Sequence, residues 1–408
     1  MQLESNGFFH LAYCTNIHPG NGWDEVFENL QAYAPQLKAR LAPEQPFALG
    51  LRLSALESEQ LLAGGRLEAF KNFLAGENLY VCLINGFVFG SFHKTVVKES
   101  VFAPDWQTGE RVDYTLRLVE ILRQLLPEHL DGGISTLPLS YKKWVNADDN
   151  AVWEKITENI VQVVEALVKV RQAENRLIHL DIEPEPDGLV ETSAELASFY
   201  QNWLLPVGGK MLADRLPTTI EEARRLLLNH VQVCLDTCHF AVEYEDFRAA
   251  LERFERVGIG IGRVQISSAL KIELPDEPHR RTELAAQLES FAESCYLHQV
   301  VEQKHDGTRR QYSDLAKALP MIHEKSAKQW RVHFHVPLFV ERYAAFGSTQ
   351  TDIRRVFELL GEKRFTRHLE IETYTWDVLP PNLKLDLVES ICREHNWVRD
   401  ELSKLNYA

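Results

Sequence analysis

The sequence predicts an α/β protein built as a (β/α)8 barrel, and three observations carry that reading. Short apolar, β-branched runs alternate with longer stretches of helical periodicity some eight times along the chain. No glycine-rich dinucleotide fingerprint follows the first run, as a doubly wound sheet would favour; GIGIG at 258–262 ends a helix and opens a strand, the wrong order for a phosphate loop. The length also suffices: a barrel takes about 250 residues as one unit, and the chain has 408.

The strand-like runs are 8–14, 47–53, 79–84, 133–137, 177–183, 231–236, 263–267, 332–336 and 368–373. Helical patterning covers 111–126, 149–173, 189–204, 218–229, 245–257, 277–294, 349–361 and 381–404. Nine runs are one too many for eight staves, and 263–267 and 332–336 compete for the seventh place. Between them HQVVEQ (298–303), KHDG and TRRQYS read as a β-hairpin whose loop contains Asp306-Gly307. The segment 271–330 is therefore expected as an insertion over the C-terminal face of a single 1–408 domain, which ends in a helical segment, 381–408.

Composition narrows the function classes. With 45% hydrophobic and 25% charged residues, the chain is globular rather than disordered, coiled or collagenous. Net charge is −15, from 44 Lys and Arg against 59 Asp and Glu, which is the wrong sign for a binder of nucleic-acid backbones. No uninterrupted apolar run of about 18 residues is present, as a membrane span would need. The N-terminus lacks the basic start and apolar core of a secretory signal. Six cysteines, at 14, 82, 234, 238, 295 and 392, are too scattered for a disulfide framework. Buried free thiols in the cytoplasm are expected.

In a barrel the working residues sit at the C-terminal strand ends, and polar groups accumulate there. IHLDIEPEP places His179, Asp181 and Glu183 on one face, and Pro184 ends the strand with Glu183 at the rim. VCLDTCHF ends on Asp236 and carries His239 in the next turn. HLEIETYTW aligns Glu370 with Glu372, and Trp376 beyond them offers an apolar wall. RVHFHVPLF aligns His333 with His335. Carboxylates mixed with imidazoles suit Mn, Fe, Co or Zn, whereas an all-oxygen set would favour Mg or Ca. The expected divalent-metal ligands are Glu183, Asp236, His333, His335, Glu370 and Glu372. Glu183 or Glu372 is the expected general base, and His239 the residue that orients the substrate. Arg52, Asn85, His93 and Gln265 complete the expected substrate contacts, with Asn16, His18, Ser135, Thr136 and Ser267 as further polar groups at the rim.

LDIEPEP, LDTCH and LEIE resemble the xylose-isomerase-like TIM-barrel superfamily of sugar isomerases, ketose 3-epimerases and endonuclease IV-type enzymes. The resemblance implies a Glu at strand five, Asp-x-x-His after strand six, a His at strand seven and a Glu at strand eight. Glu183, Asp236 with His239, and Glu370 or Glu372 match three of these. The fourth is Gln265 if 263–267 is the seventh stave, or His333 or His335 if 332–336 is. More narrowly, YCTNIHPG, NGFVFGSFH, ISTLPLSYKKW, LDTCHFAV, HFHVPLF and LEIETYTW are similar to EboE-type metabolite traffic proteins, from about Tyr13 to Pro380. That similarity implies a part in making or moving a small precursor, with a functional link to a membrane UbiA-like prenyltransferase. The expected function is a metal-dependent isomerase or epimerase; the alternatives are a non-enzymatic binding scaffold for the prenyltransferase pathway and, last, an endonuclease IV-like enzyme, which the charge opposes.

Overall fold

Strands buried on both faces are long on apolar residues, and almost every position of the barrel strands is shielded from solvent. In the computed structural model, which describes residues 1–3, 8–90, 98–291, 297–343, 345–373 and 386–405, eight parallel strands form a closed barrel. They are Phe9–Cys14, Phe47–Arg52, Leu79–Asn85, Gly132–Thr136, Ile178–Ile182, Val231–Asp236, Ile261–Ile266 and His368–Ile371. Each pairs with its neighbour in sequence, and the eighth closes onto the first through His368 opposite His10. Gln2–Leu3 adds a short antiparallel strand to the first.

The contest for the seventh place is therefore won by 261–266, which pairs in parallel with the sixth and eighth staves. Of 332–336, Val332 alone belongs to a strand, the last residue of Ala327–Val332. That strand runs antiparallel to Leu270–Glu273 and to Val300–Lys304 in a second sheet of six strands, inserted between the seventh and eighth staves. The alternation of HFHV is real but serves a different end. His333 N donates to Gln299 O and Val336 N to Ser268 O, so the segment runs across the rim without joining a stave. The hairpin Val300–Lys304 with Arg309–Tyr312 turns at Gly307, whose φ of +83° is a left-handed conformation that favours glycine.

Helices cover the outside of the barrel. Gly109–Leu125, Asn150–Glu174, Ile220–His230, Phe247–Val257 and Gln350–Glu362 agree with the patterned stretches to within two residues at each end. The helix expected over 189–204 starts later, at Ser193, where Thr192 and Glu195 form a capping box, and continues through a π-helical stretch to Arg215. The last described helix, Leu387–Ser403, packs against Trp23–Leu41. Among the described residues, no helix is long and apolar enough to cross a membrane.

The barrel interior is polar along one layer. Arg263 lies between Asp181 and Glu370 at 3.0 Å from each, all three fully buried. The neighbouring inward positions are small to make room: a Cβ on Gly50 would stand 1.8 Å from a Glu370 oxygen, and one on Gly262 1.9 Å from an Asp181 oxygen.

Candidate metal centre

Above that layer the strand ends and the inserted segment converge on a cavity of about 470 Å³, counting the space that opens to solvent. Glu183 lies just past the fifth stave, Asp236 at the tip of the sixth and Glu372 just past the eighth. Oxygens from the three lie within 4.8 Å of one another. Glu183, Glu185 and Glu372 line the cavity with His239, His333 and His335. Phe87, Val88 and Val101 supply its apolar wall.

Asp236 has two roles, one for each oxygen. Oδ1 caps the short helix Thr237–Val242, accepting from Cys238 N at 2.7 Å and His239 N at 3.0 Å, and also from Ser267 Oγ at 2.6 Å. Oδ2 is buried with no hydrogen-bond partner among the described residues, as is Glu183 Oε2. A buried carboxylate oxygen without a donor is costly. Two in one cluster of carboxylates ask for a cation.

The imidazoles point the same way. His239 Nδ1 lies 3.2 Å from Pro184 O, His333 Nδ1 2.9 Å from Gln299 Oε1 and His335 Nδ1 2.8 Å from Glu372 O. Gln299 Nε2 donates to Pro186 O at 3.0 Å, which fixes its Oε1 as the acceptor for His333. Each ring thus donates its Nδ1–H, and in the neutral form its Nε2 keeps a lone pair. His239 Nε2 and His333 Nε2 face each other at 3.1 Å, lone pair against lone pair. A ring tied through one nitrogen and presenting the other is the usual preparation of a metal ligand.

Charge balance agrees. Burial, then the negative charges of Asp236 and Glu185, push Glu183 well above the usual carboxylate range. Burial, then Glu183 and Asp236, do the same to Glu372. Burial opposes the charge on Asp236 as well, yet His239, His335 and Ser267 bring it below its ordinary value. Burial lowers His239 to about 4 and lowers His335, and burial with the neighbouring imidazoles depresses His333. The rings are therefore neutral near pH 7, as ligands must be. The donor set fits a divalent cation, with an oxygen half in Glu183, Asp236 and Glu372 and a nitrogen half in His239 and His335 beside Asp236.

Several expected residues lie elsewhere. Glu370, a candidate ligand from its strand pattern, is corrected: it sits one inward step below Glu372, accepts from Arg263 and belongs to none of the described donor clusters. Gln265 faces the interior and accepts from Cys234 Sγ at 2.8 Å; it does not line the cavity. Arg52 lines the cavity, but its guanidinium bonds Glu57 at 2.9 Å and Gly90 O at 2.7 Å, leaving the carboxylates without its charge. Asn85 lines it too, and donates to Glu372 Oε1 at 3.1 Å alongside Asn16 at 2.9 Å. His93 and Trp376 lie outside the described residues. Sequence reasoning passed over Glu185, whose oxygen stands 3.5 Å from His333 Nδ1. The PEP run beyond the fifth stave was its one signal.

No protein-family model and no curated protein matches the chain. Among solved structures it is similar to a xylose isomerase-like TIM barrel protein from Mycobacterium smegmatis, in complex with magnesium, with 11% identity, 99% of each chain covered and a TM-score of 0.53. A D-tagatose 3-epimerase-like protein matches at 10% identity over 97% of this chain and 98% of that one, with a TM-score of 0.46. A D-psicose 3-epimerase with D-tagatose, from Clostridium cellulolyticum H10, matches at 13% identity over 71% of this chain and 83% of that one, with a TM-score of 0.37. The first likeness shows a shared TIM-barrel fold.

Proposed function

We propose that the chain is a divalent-metal-dependent isomerase or epimerase acting on a small hydroxycarbonyl compound. One observation carries the reading. Three imidazoles, each tied through Nδ1, share a cavity with buried carboxylates that make no ion pair with an Arg or Lys among the described residues. Glu183, Asp236, Glu372, His239 and His335 would hold the ion, with His333 and Glu185 beside them. The M. smegmatis protein of the same fold is described in complex with magnesium, and that supports a divalent ion here. The imidazole half of the donor set favours Mn, Fe, Co or Zn. Once bound, such an ion polarises a carbonyl or hydroxyl oxygen of the substrate.

The chain's own residues account for the remaining chemistry. Glu183 and Glu372 enter the cavity from different barrel strands, so one as carboxylate can take a proton from carbon while the other as acid returns one. Asn16 and Asn85 hold Glu372 Oε1 in place, and Phe87, Val88 and Val101 keep water from the reacting carbon.

Within this reading the chain takes an EboE-type role, processing or handling a small precursor in a pathway that involves a membrane prenyltransferase. The motifs from YCTNIHPG to LEIETYTW support that narrower assignment. The test is elemental analysis of purified protein beside Glu183→Ala and Asp236→Ala, followed by metal-dependent incorporation of solvent deuterium into a panel of ketoses and aldoses. Loss of one metal equivalent in both alanine variants and loss of exchange in Glu372→Gln are expected. Full metal content in both alanine variants would overturn the assignment.

A further inference from the structure

A second group of donors lies at the opposite pole of the barrel, where the staves begin. Asp131 immediately precedes the fourth stave, His179 is the second residue of the fifth and His368 the first of the eighth. His368 Nε2 is 3.2 Å from Asp131 Oδ1, and His179 Nε2 is 3.9 Å from Asp131 Oδ2. Nitrogens and oxygen from the three residues lie within 4.8 Å of one another. Ligands about 2.0–2.2 Å from a tetrahedral zinc stand roughly 3.4 Å apart, which is close to this spacing.

The hydrogen-bond pattern singles out this group. His179 Nδ1 stands 2.5 Å from Asp181 Oδ1, and Asp181 Oδ2 accepts from Arg263 at 3.0 Å. A carboxylate anchored by a guanidinium holds Nδ1, and Nε2 of the same ring is directed at Asp131. That nitrogen has no hydrogen-bond partner among the described residues, although His179 is 1% exposed. His368 is equally buried; its Nε2 stands 3.2 Å from Asp131 Oδ1, and its Nδ1 makes no hydrogen bond with a described residue. Two buried imidazoles thus direct Nε2 at one carboxylate. The Asp181–His179 pair is the carboxylate–histidine arrangement that orients a metal ligand. The Asp131 side chain is 29% exposed, which leaves a route in from solvent, and Arg367 approaches its Oδ1 at 3.5 Å. His10, bonded through Nδ1 to Tyr80 at 2.9 Å, stands beside His368 with ring centres 6.0 Å apart.

We propose that Asp131, His179 and His368 form a second metal site, for a zinc-class cation (Zn, Co or Ni), that pins the closing strands of the barrel. This site is independent of the mouth. It joins the fourth, fifth and eighth staves across the barrel floor, and its chemistry is structural: the three side chains are packed among the strand starts, and none of them lines the cavity at the mouth.

The test uses the full chain, stripped by chelator and titrated with Co2+, read by visible absorption and by elemental analysis. In a Glu183→Gln/Asp236→Asn background, which removes the mouth, one equivalent of Co2+ with tetrahedral absorption is expected. Adding Asp131→Asn or His368→Gln to that background should weaken it at least 100-fold. Asp131→Asn alone should remove one equivalent and leave the mouth occupied, so the two sites fail separately. A folded mouth variant that binds no Co2+ would overturn the proposal, as would unchanged binding in Asp131→Asn. An anomalous map of Zn2+-soaked wild-type crystals decides the same question if the variants do not fold: a peak between Asp131 and His179 supports the site, and its absence removes it.

Discussion

Arg263 and Glu370 meet at 3.0 Å in the barrel interior with neither side chain exposed, and the other edge of the same guanidinium holds Asp181 at 3.0 Å. Two carboxylates therefore depend on one cation. Replacing Arg263 with Met leaves both charges buried without a partner, and the loss expected is about 3–5 kcal/mol. Urea denaturation of wild type and variant measures it, and a loss below about 1 kcal/mol would contradict the arrangement.

Asn16 and Asn85 come from the first and third strand ends, and both donate to Glu372 Oε1. Groups that orient a ligand are worth about 10–100-fold in metal affinity. The Asn16→Ala/Asn85→Ala variant should fall in that range in chelator competition while keeping its thermal midpoint within a few degrees.

The fold and the site were legible to different depths. Continuous apolar runs such as that at 79–84 mark strands that are buried on both faces, and these were readable. Glu183 was legible as a rim residue because Pro184 ends its strand. Glu370 and Glu372 were not separable, since a period of two puts both on the inner face. Only their depth relative to Arg263 distinguishes them, and depth is a property of the closed barrel. The HFHV segment competed with 263–267 for a stave because alternation reports two-sided packing and does not identify the sheet. The backbone bonds to Gln299 and Ser268 that place it are long-range and leave no local pattern.

Glu394 in the last helix is fully buried, and burial raises it to about 8 although Leu338 N and Thr373 Oγ1 both donate to its Oε1. A carboxyl with a raised value in the folded state holds its proton while the unfolded chain, near 4.5, loses it. Its contribution is therefore fully favourable below about pH 4.5 and declines as pH rises toward 8, by up to about 1.4 kcal/mol per pH unit. Glu394→Gln should flatten the fall in thermal midpoint between pH 5 and pH 8. An unchanged slope would show that other groups control it.

Gly262 faces Asp181 and His179 so closely that a Cβ would stand 1.9 Å from a carboxylate oxygen and 2.7 Å from His179 Nδ1. Neither neighbour is free to retreat, because Arg263 and Asp181 hold them. Gly262→Ala should destabilise by about 1–3 kcal/mol, read from the denaturation midpoint. The same substitution at Gly307, where nothing lies within 4 Å, meets no such obstacle and incurs only the strain of its left-handed φ.

His333 and His335 hang from the second sheet, not from a stave. That sheet acts as a clasp over the barrel: loosening its hold on the rim would withdraw two imidazoles together while the carboxylates stayed behind. Donor identity and scaffold are thereby carried by separate stretches of chain, so exchanging the clasp would retune the centre without rebuilding the barrel beneath it.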